Sequence, residues 1–364
     1  MSSHPLKDHI PGLDGLRGIA VLLVLWSHLP TGGEGSLLGG LKRLALPGYL
    51  GVDIFFVLSG FLITRILVAD RASGHPLRHF FVRRFLRIFP IYYLLIGILL
   101  VLQPGAYLAW CAAYLSNFAF VFDSLPNPMR HTWSLSVEEH FYLVWPLLIY
   151  AFPPQQSRRL ALYGVIPLAV ASAVITLIAL PDKAIAAGLI DRGSFYRVAS
   201  LALGASIAYS ESRLRARPAT CLKLSIPMLA TGVGILLVAR FGLREWFPVG
   251  RLIGFSLASG AIVLACIGLH GSASLPARAL RSRLLRGVGR ISYGLYLYHY
   301  PIYSAFGLHS AEEPASPYAL PLGLGLTFAA ATASYALFEK RILMRKEQVC
   351  RWVTPRSFAV TSPP

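Results

Sequence analysis

Charge is scarce in this chain. Only 14% of its 364 residues are charged and 55% are hydrophobic, with a mean hydropathy of +0.59, which excludes an ordinary soluble domain. Acids are scarcer still, 16 Asp and Glu against 34 Lys and Arg. The four cysteines, Cys111, Cys221, Cys266 and Cys350, lie far apart and never form C-x-x-C, so neither a disulfide framework nor a metal site is expected. No internal repeat stands out, which removes the main sequence signature of a transporter built from inverted repeats. No basic stretch is interleaved with aromatics as in a nucleic-acid groove, so the net charge of +18 does not point to nucleic acid. A cleavable signal peptide is not expected either, because the first ten residues are polar and no small-residue cleavage site follows Gly12.

Long apolar runs are what the sequence has in abundance. Runs of about 17 to 22 residues recur along its whole length, the amount a helix needs to cross a bilayer. The distribution of Lys and Arg selects among eleven candidates. With Ala106 to Phe122 in the outer interface or re-entrant, ten spans remain, near residues 13–30, 49–68, 85–102, 135–152, 160–180, 195–209, 224–240, 252–270, 291–309 and 318–338. An N-terminus on the inner side then places most basic residues there, including Arg278, Arg281, Arg283, Arg286 and Arg290, a run without an acid. The expectation is an all-α integral membrane protein of about ten transmembrane helices with both termini cytoplasmic. Residues 1–345 form its membrane domain and 346–364 a short disordered tail. The stretch Ala69 to Arg84 is expected to lie on the cytoplasmic surface as an amphipathic segment.

One stretch organises the polar residues of these spans. GLDGLRGIAVLLVLWSHL, from Gly12 to Leu29, carries Arg17 and His28 eleven residues apart, about three helical turns and about 16 Å along one face. The plain reading is a headgroup arginine and an interfacial Trp-Ser-His end. The functional reading is that ionisable groups inside a membrane are costly and mark sites. Towards the inner face, Arg84 and Arg87 share a helix face at i,i+3, and their guanidinium forks suit phosphate oxygens. Towards the outer face lie His28, Asp53 and the adjacent Glu138 and Glu139, at least one of which must face a wet cavity or a partner. Ser59 and Gly60 sit in the middle of the second span, where Gly60 serves close helix packing. The Tyr-rich face around His299 and Pro301 reads as packing and pathway lining.

These residues carry a resemblance. LDGLRGIAVLLVLWSH, GVDIFFVLSGFLI, RRFLRIFPIYYL, TWSLSVEEHFYLVWPLL and ISYGLYLYHYPI, followed by a last span ending FEKR, are similar in kind and order to acyltransferase family 3. That family comprises integral-membrane O-acyltransferases of bacterial glycans and some macrolides. The resemblance implies a bacterial inner-membrane enzyme that takes an acyl group from cytoplasmic acetyl-CoA, or a related acyl-CoA, as substrate, with no permanently bound cofactor. It implies a glycan or lipid-linked glycan acceptor such as an exopolysaccharide. Some members carry a further esterase-like domain, which is not expected here. Arg17, Arg84, Arg87 and Ser59 would hold the donor. His28, with an ordinary pKa near ~6.5, would act as general base or carry the acyl group itself. Asp53, Glu138 or Glu139 would orient its ring. Acylation of a small acceptor such as a macrolide is the alternative within the family, and a multi-span transporter the alternative outside it.

Overall fold

The computed structural model describes residues 9–29, 48–122, 127–308, 316 and 318–353. Every regular element among them is helical. In chain order these are α1 (Pro11–Ser27), α2 (Gly48–Ala72), α3 (Leu77–Leu102), α4 (Tyr107–Ala112), α5 (Ser116–Phe122), α6 (Trp133–Ala151) and α7 (Pro154–Ala179). There follow α8 (Lys183–Arg192), α9 (Ser194–Ala208), α10 (Glu211–Ala216), α11 (Pro218–Gly242), α12 (Phe247–Gly268), α13 (Leu275–Leu280) and α14 (Arg283–Arg290). The last three are α15 (Ser292–Ala305), α16 (Ala319–Ser334) and α17 (Lys340–Val353).

Six helical stretches are long and apolar enough to cross a membrane: Gly48–Ala72, Leu77–Leu102, Pro154–Ala179, Pro218–Gly242, Arg244–Gly268 and Ala319–Lys346. They mark a multi-pass membrane protein. The other four expected spans are also helices, α1, α6, α9 and α15, but of only 17, 19, 15 and 14 residues. Exposed Leu168, Ile175, Ile226 and Phe241 on α7 and α11 give those helices an apolar outer face suited to lipid. α2 is the hub, packed against α1, α6, α9 and α12.

Local chemistry explains the helix ends and the closest crossings. α1 starts on Pro11, which lacks an N–H where none is needed, and holds Asp14 in its positively polarised first turn. Gly60 of α2 meets Gly204 of α9 so closely that a Cβ on Gly60 would collide with the Leu201 carbonyl, and one on Gly204 with that of Val57. Close packing is therefore the work of Gly60.

One sequence expectation needs correction, and two other stretches gain detail. Ala69 to Arg84 forms the end of α2, a tight turn at Gly74 with φ of 70°, and the start of α3, where Pro76 stands at the N-cap. The boundary at 345 falls inside α17, which continues to Val353 and packs along α3; residues 354–364 lie outside the described set. Ala106 to Phe122, expected not to cross, forms two short helices. It breaks at Tyr114, whose φ of 55° turns the chain between α4 and α5, and each piece is far shorter than a crossing needs.

Candidate active site

Helical phase decides which polar residues meet. On α2, Val52, Phe55, Phe56, Ser59, Leu62, Ile63 and Ile66 recur at helical spacing and line one side of a cavity of about 380 Å³. α1 contributes Asp14 and Arg17, α3 contributes Arg84 and Arg87, and α6 contributes Glu138 and Tyr142. A π-helical turn, Tyr335–Glu339, follows α16 and brings Tyr335 and Glu339 into the same lining. With Arg290, four guanidiniums face three carboxylates here. Arg84 stacks on the Tyr142 ring, its Cζ 3.7 Å from the centroid, and its Nε is 4.0 Å from a Glu139 oxygen. Ser59 donates its hydroxyl to Glu138. Arg17 Nε is buried without a hydrogen-bond partner among the described residues. Arg87 makes no ion pair with any described residue.

A second cavity, of about 390 Å³, is lined by Ser27, His28, Tyr49, Arg130, His131, Trp133, Arg192 and Tyr300. Val52 and Tyr296 line both cavities, so the two lie back to back with these side chains as their common wall. The Tyr296 hydroxyl is pinned, donating to the His131 carbonyl at 2.7 Å with the Ser134 hydroxyl 2.6 Å away. His28 caps α1, its Nδ1 2.9 Å from the Val24 carbonyl. Its ring centroid is 5.1 Å from that of His299 and 5.2 Å from that of Tyr300, and His131 lies 5.0 Å from His299. Among the described residues no group of three or more His, Cys, Asp and Glu is arranged to hold a metal.

The site therefore divides differently from the sequence expectation. Arg17, Arg84, Arg87 and Ser59 come together as expected, and His28 stands at the other cavity. Glu138 joins the arginines rather than His28, and Glu139 sits beside Arg84, because in a poorly solvated interior a carboxylate is drawn to the available guanidiniums. Asp53 joins neither cavity. One residue past Val52, it is turned about 100° away from the lining face and points into α9. There it is fully buried, accepting from Arg197 at 2.6 Å and from Ser200 at 2.7 Å. It serves the helix junction and does not orient His28. Asp53→Asn is expected to cost about 3 kcal/mol or more in stability, as breaking a buried ion pair does. A thermal midpoint on purified protein checks this.

Sequence reasoning missed His131, Glu339 and the position of His299. A signal for the last was present: Tyr296, His299, Tyr300 and Tyr303 recur at i, i+3, i+4 and i+7, one stripe of α15.

The model of the family 3 acyltransferase domain matches residues 10–336. The chain belongs to acyltransferase family 3. It is 32% identical over 326 residues to the peptidoglycan O-acetyltransferase OatA of Listeria monocytogenes, an alignment covering 81% of this chain and 50% of that protein. It is 33% identical over 328 residues to the putative peptidoglycan O-acetyltransferase YrhL of Bacillus subtilis, covering 82% and 50%. With the O-acetyltransferase OatA of Staphylococcus aureus it shares 28% over 363 residues, covering 92% and 57%. The chain thus spans about half the length of the curated relatives it matches. No solved structure matches. All the aligned helices that carry Arg17, His28, Ser59, Arg84, Arg87, Glu138 and Glu139 fall inside the family 3 match.

Proposed function

We propose that this family 3 acyltransferase is an inner-membrane O-acetyltransferase that moves an acetyl group from cytoplasmic acetyl-CoA to a carbohydrate hydroxyl. The observation that carries the reading is the pair of cavities meeting at Val52 and Tyr296, one rich in arginine, the other holding His28. Arg17, Arg84 and Arg87 match the CoA phosphates in charge and fork geometry. The slim pantetheine arm then runs along the Ser59 side of α2 towards the common wall, and the thioester reaches the second cavity. There His28 takes the proton of an acceptor hydroxyl as its oxygen attacks the thioester carbon. The carbon–sulfur bond breaks, and the departing CoA thiolate recovers the proton from His28. Trp133, Tyr49 and Tyr300 give the second cavity the aromatic walls that a sugar ring can stack against. The names of the relatives favour a peptidoglycan-type glycan over an exopolysaccharide or a macrolide as acceptor.

The test is CoA release. Purified protein given acetyl-CoA and peptidoglycan oligosaccharides should liberate free CoA and form an ester-linked acetate in equal amounts. Acetyl-CoA left intact under those conditions would refute the reading.

The reading includes a topology of ten crossings with both termini cytoplasmic, α1, α6, α9 and α15 completing the six longer spans. It predicts that a reporter fused after Ser274 reads cytoplasmic, because the segment that follows holds five arginines and no acid up to Arg290. A reporter at Glu312, which lies outside the described residues, is expected to read external. A reporter after Ser274 that reads external would favour eleven crossings and the acylation of a small cytoplasmic acceptor.

A further inference from the structure

His299 is completely buried on α15, two residues before Pro301. Its Nδ1 lies 2.7 Å from the Tyr296 carbonyl and 3.2 Å from that of Leu295. A carbonyl oxygen only accepts, so the His299 proton sits on Nδ1 and its Nε2 carries a lone pair. That lone pair faces His28 Nδ1, 3.4 Å away. The same rule applies to His28, whose Nδ1 is 2.9 Å from the Val24 carbonyl and must therefore hold the ring proton. The His28 N–H thus donates to the Val24 carbonyl, with His299 Nε2 and the Ser27 hydroxyl oxygen each 3.4 Å from the same nitrogen, and the lone pair of His28 is on the opposite nitrogen, Nε2. His131 packs against the His299 ring from the side, with centroids 5.0 Å apart, and limits its rotation.

We propose that His299 is a positioning residue for His28. Its tautomer is fixed by the backbone of α15, and its Nε2 gives the protonated Nδ1 of His28 a second acceptor beside the Val24 carbonyl, which holds the ring in place. When His28 takes the acceptor proton, the N–H facing His299 shares the new positive charge, and the His299 lone pair receives it without itself gaining or losing a proton. The role is that of the third group in a nucleophile–base–orienter arrangement, supplied by a neutral imidazole instead of a carboxylate. It also accounts for Asp53, Glu138 and Glu139 being committed elsewhere. The proposal rests on His28 being the base of the transfer.

The test uses the purified full chain with acetyl-CoA and a glycan acceptor. His299→Leu keeps the volume and removes the acceptor nitrogen; kcat is expected to fall on the order of 100-fold, with the affinity for acetyl-CoA unchanged. His299→Gln can donate to the Tyr296 carbonyl and accept from His28, and should recover activity to within about tenfold of wild type. The double variant His28→Ala/His299→Leu should release CoA no more slowly than His28→Ala alone, because residues acting through one another are not additive. Wild-type kcat in His299→Leu overturns the proposal. So does an equal loss in the Leu and Gln variants, or a further loss in the double variant. A fully active His28→Ala would instead remove His28 as the base, whereas an inactive His28→Ala beside an active His299→Leu removes only the positioning role.

Discussion

His28→Ala is expected to abolish the proposed acetyl transfer while leaving the protein folded, inserted and able to hold acetyl-CoA. The loss expected is at least about 100-fold in kcat, the lower end of what a positioned general base contributes. Two features make the consequence specific. His28 caps α1 at its last turn, so truncation removes a ring without disturbing the helix ladder above it. The ring also lies outside the arginine-lined cavity, separated from it by Val52 and Tyr296, so the residues proposed to hold the donor phosphates are left in place. Acetyl-CoA affinity should therefore match wild type while turnover does not. Measuring both on one preparation checks this, and a His28→Ala protein with near-normal turnover would end the assignment.

The second large effect falls on the donor side. Arg87→Ala should weaken acetyl-CoA binding by about 10- to 100-fold, the equivalent of losing one charged hydrogen bond at about 1.5–3 kcal/mol. Arg87 makes no ion pair with a described residue, but its charge is felt by Glu339 in the same lining, so the thermal midpoint is measured beside the affinity. Arg84→Ala should weaken binding similarly but also lower the thermal midpoint, because Arg84 stacks on Tyr142 and neighbours Glu139. Lysine at either position should restore part of the affinity, since it keeps the charge and loses the planar fork. Unchanged affinity in both alanine variants would place the phosphates elsewhere.

Much of this arrangement was legible in the sequence, and the reasons for the rest are specific. The spacing of Arg17 and His28 along one helix, and of Arg84 and Arg87 on one face, follows from helix geometry alone and survives in the structure. The sequence sets Asp53 beside His28 because it shows depth along α2 but not rotation about it. The residue before it lines both cavities, and Asp53 itself faces α9. Glu138 and Glu139 were grouped with His28 by depth as well, whereas the pairing that decides their place is with arginines of α1 and α3, a tertiary fact. His299 reads as lining in the sequence because an isolated imidazole on an aromatic helix has no local sign of a partner. Its partner, His28, is 271 positions away. Glu339 enters the cavity through a π-helical turn that shifts the phase of the helix, which a pattern at 3.6 residues per turn does not anticipate.

The central claim is that the acyl group passes from a donor held at the inner arginines to an acceptor hydroxyl approaching from the other side, with His28 as the base. Vesicles reconstituted with the purified chain, loaded with radiolabelled acetyl-CoA and supplied with peptidoglycan oligosaccharides only on the outside, test it most directly. The account predicts ester-linked label on the external oligosaccharide, an equal amount of free CoA inside, and the loss of both in His28→Ala vesicles. Label that reaches the oligosaccharide only when donor and acceptor share one side of the membrane, or that reaches it equally in His28→Ala vesicles, would contradict it.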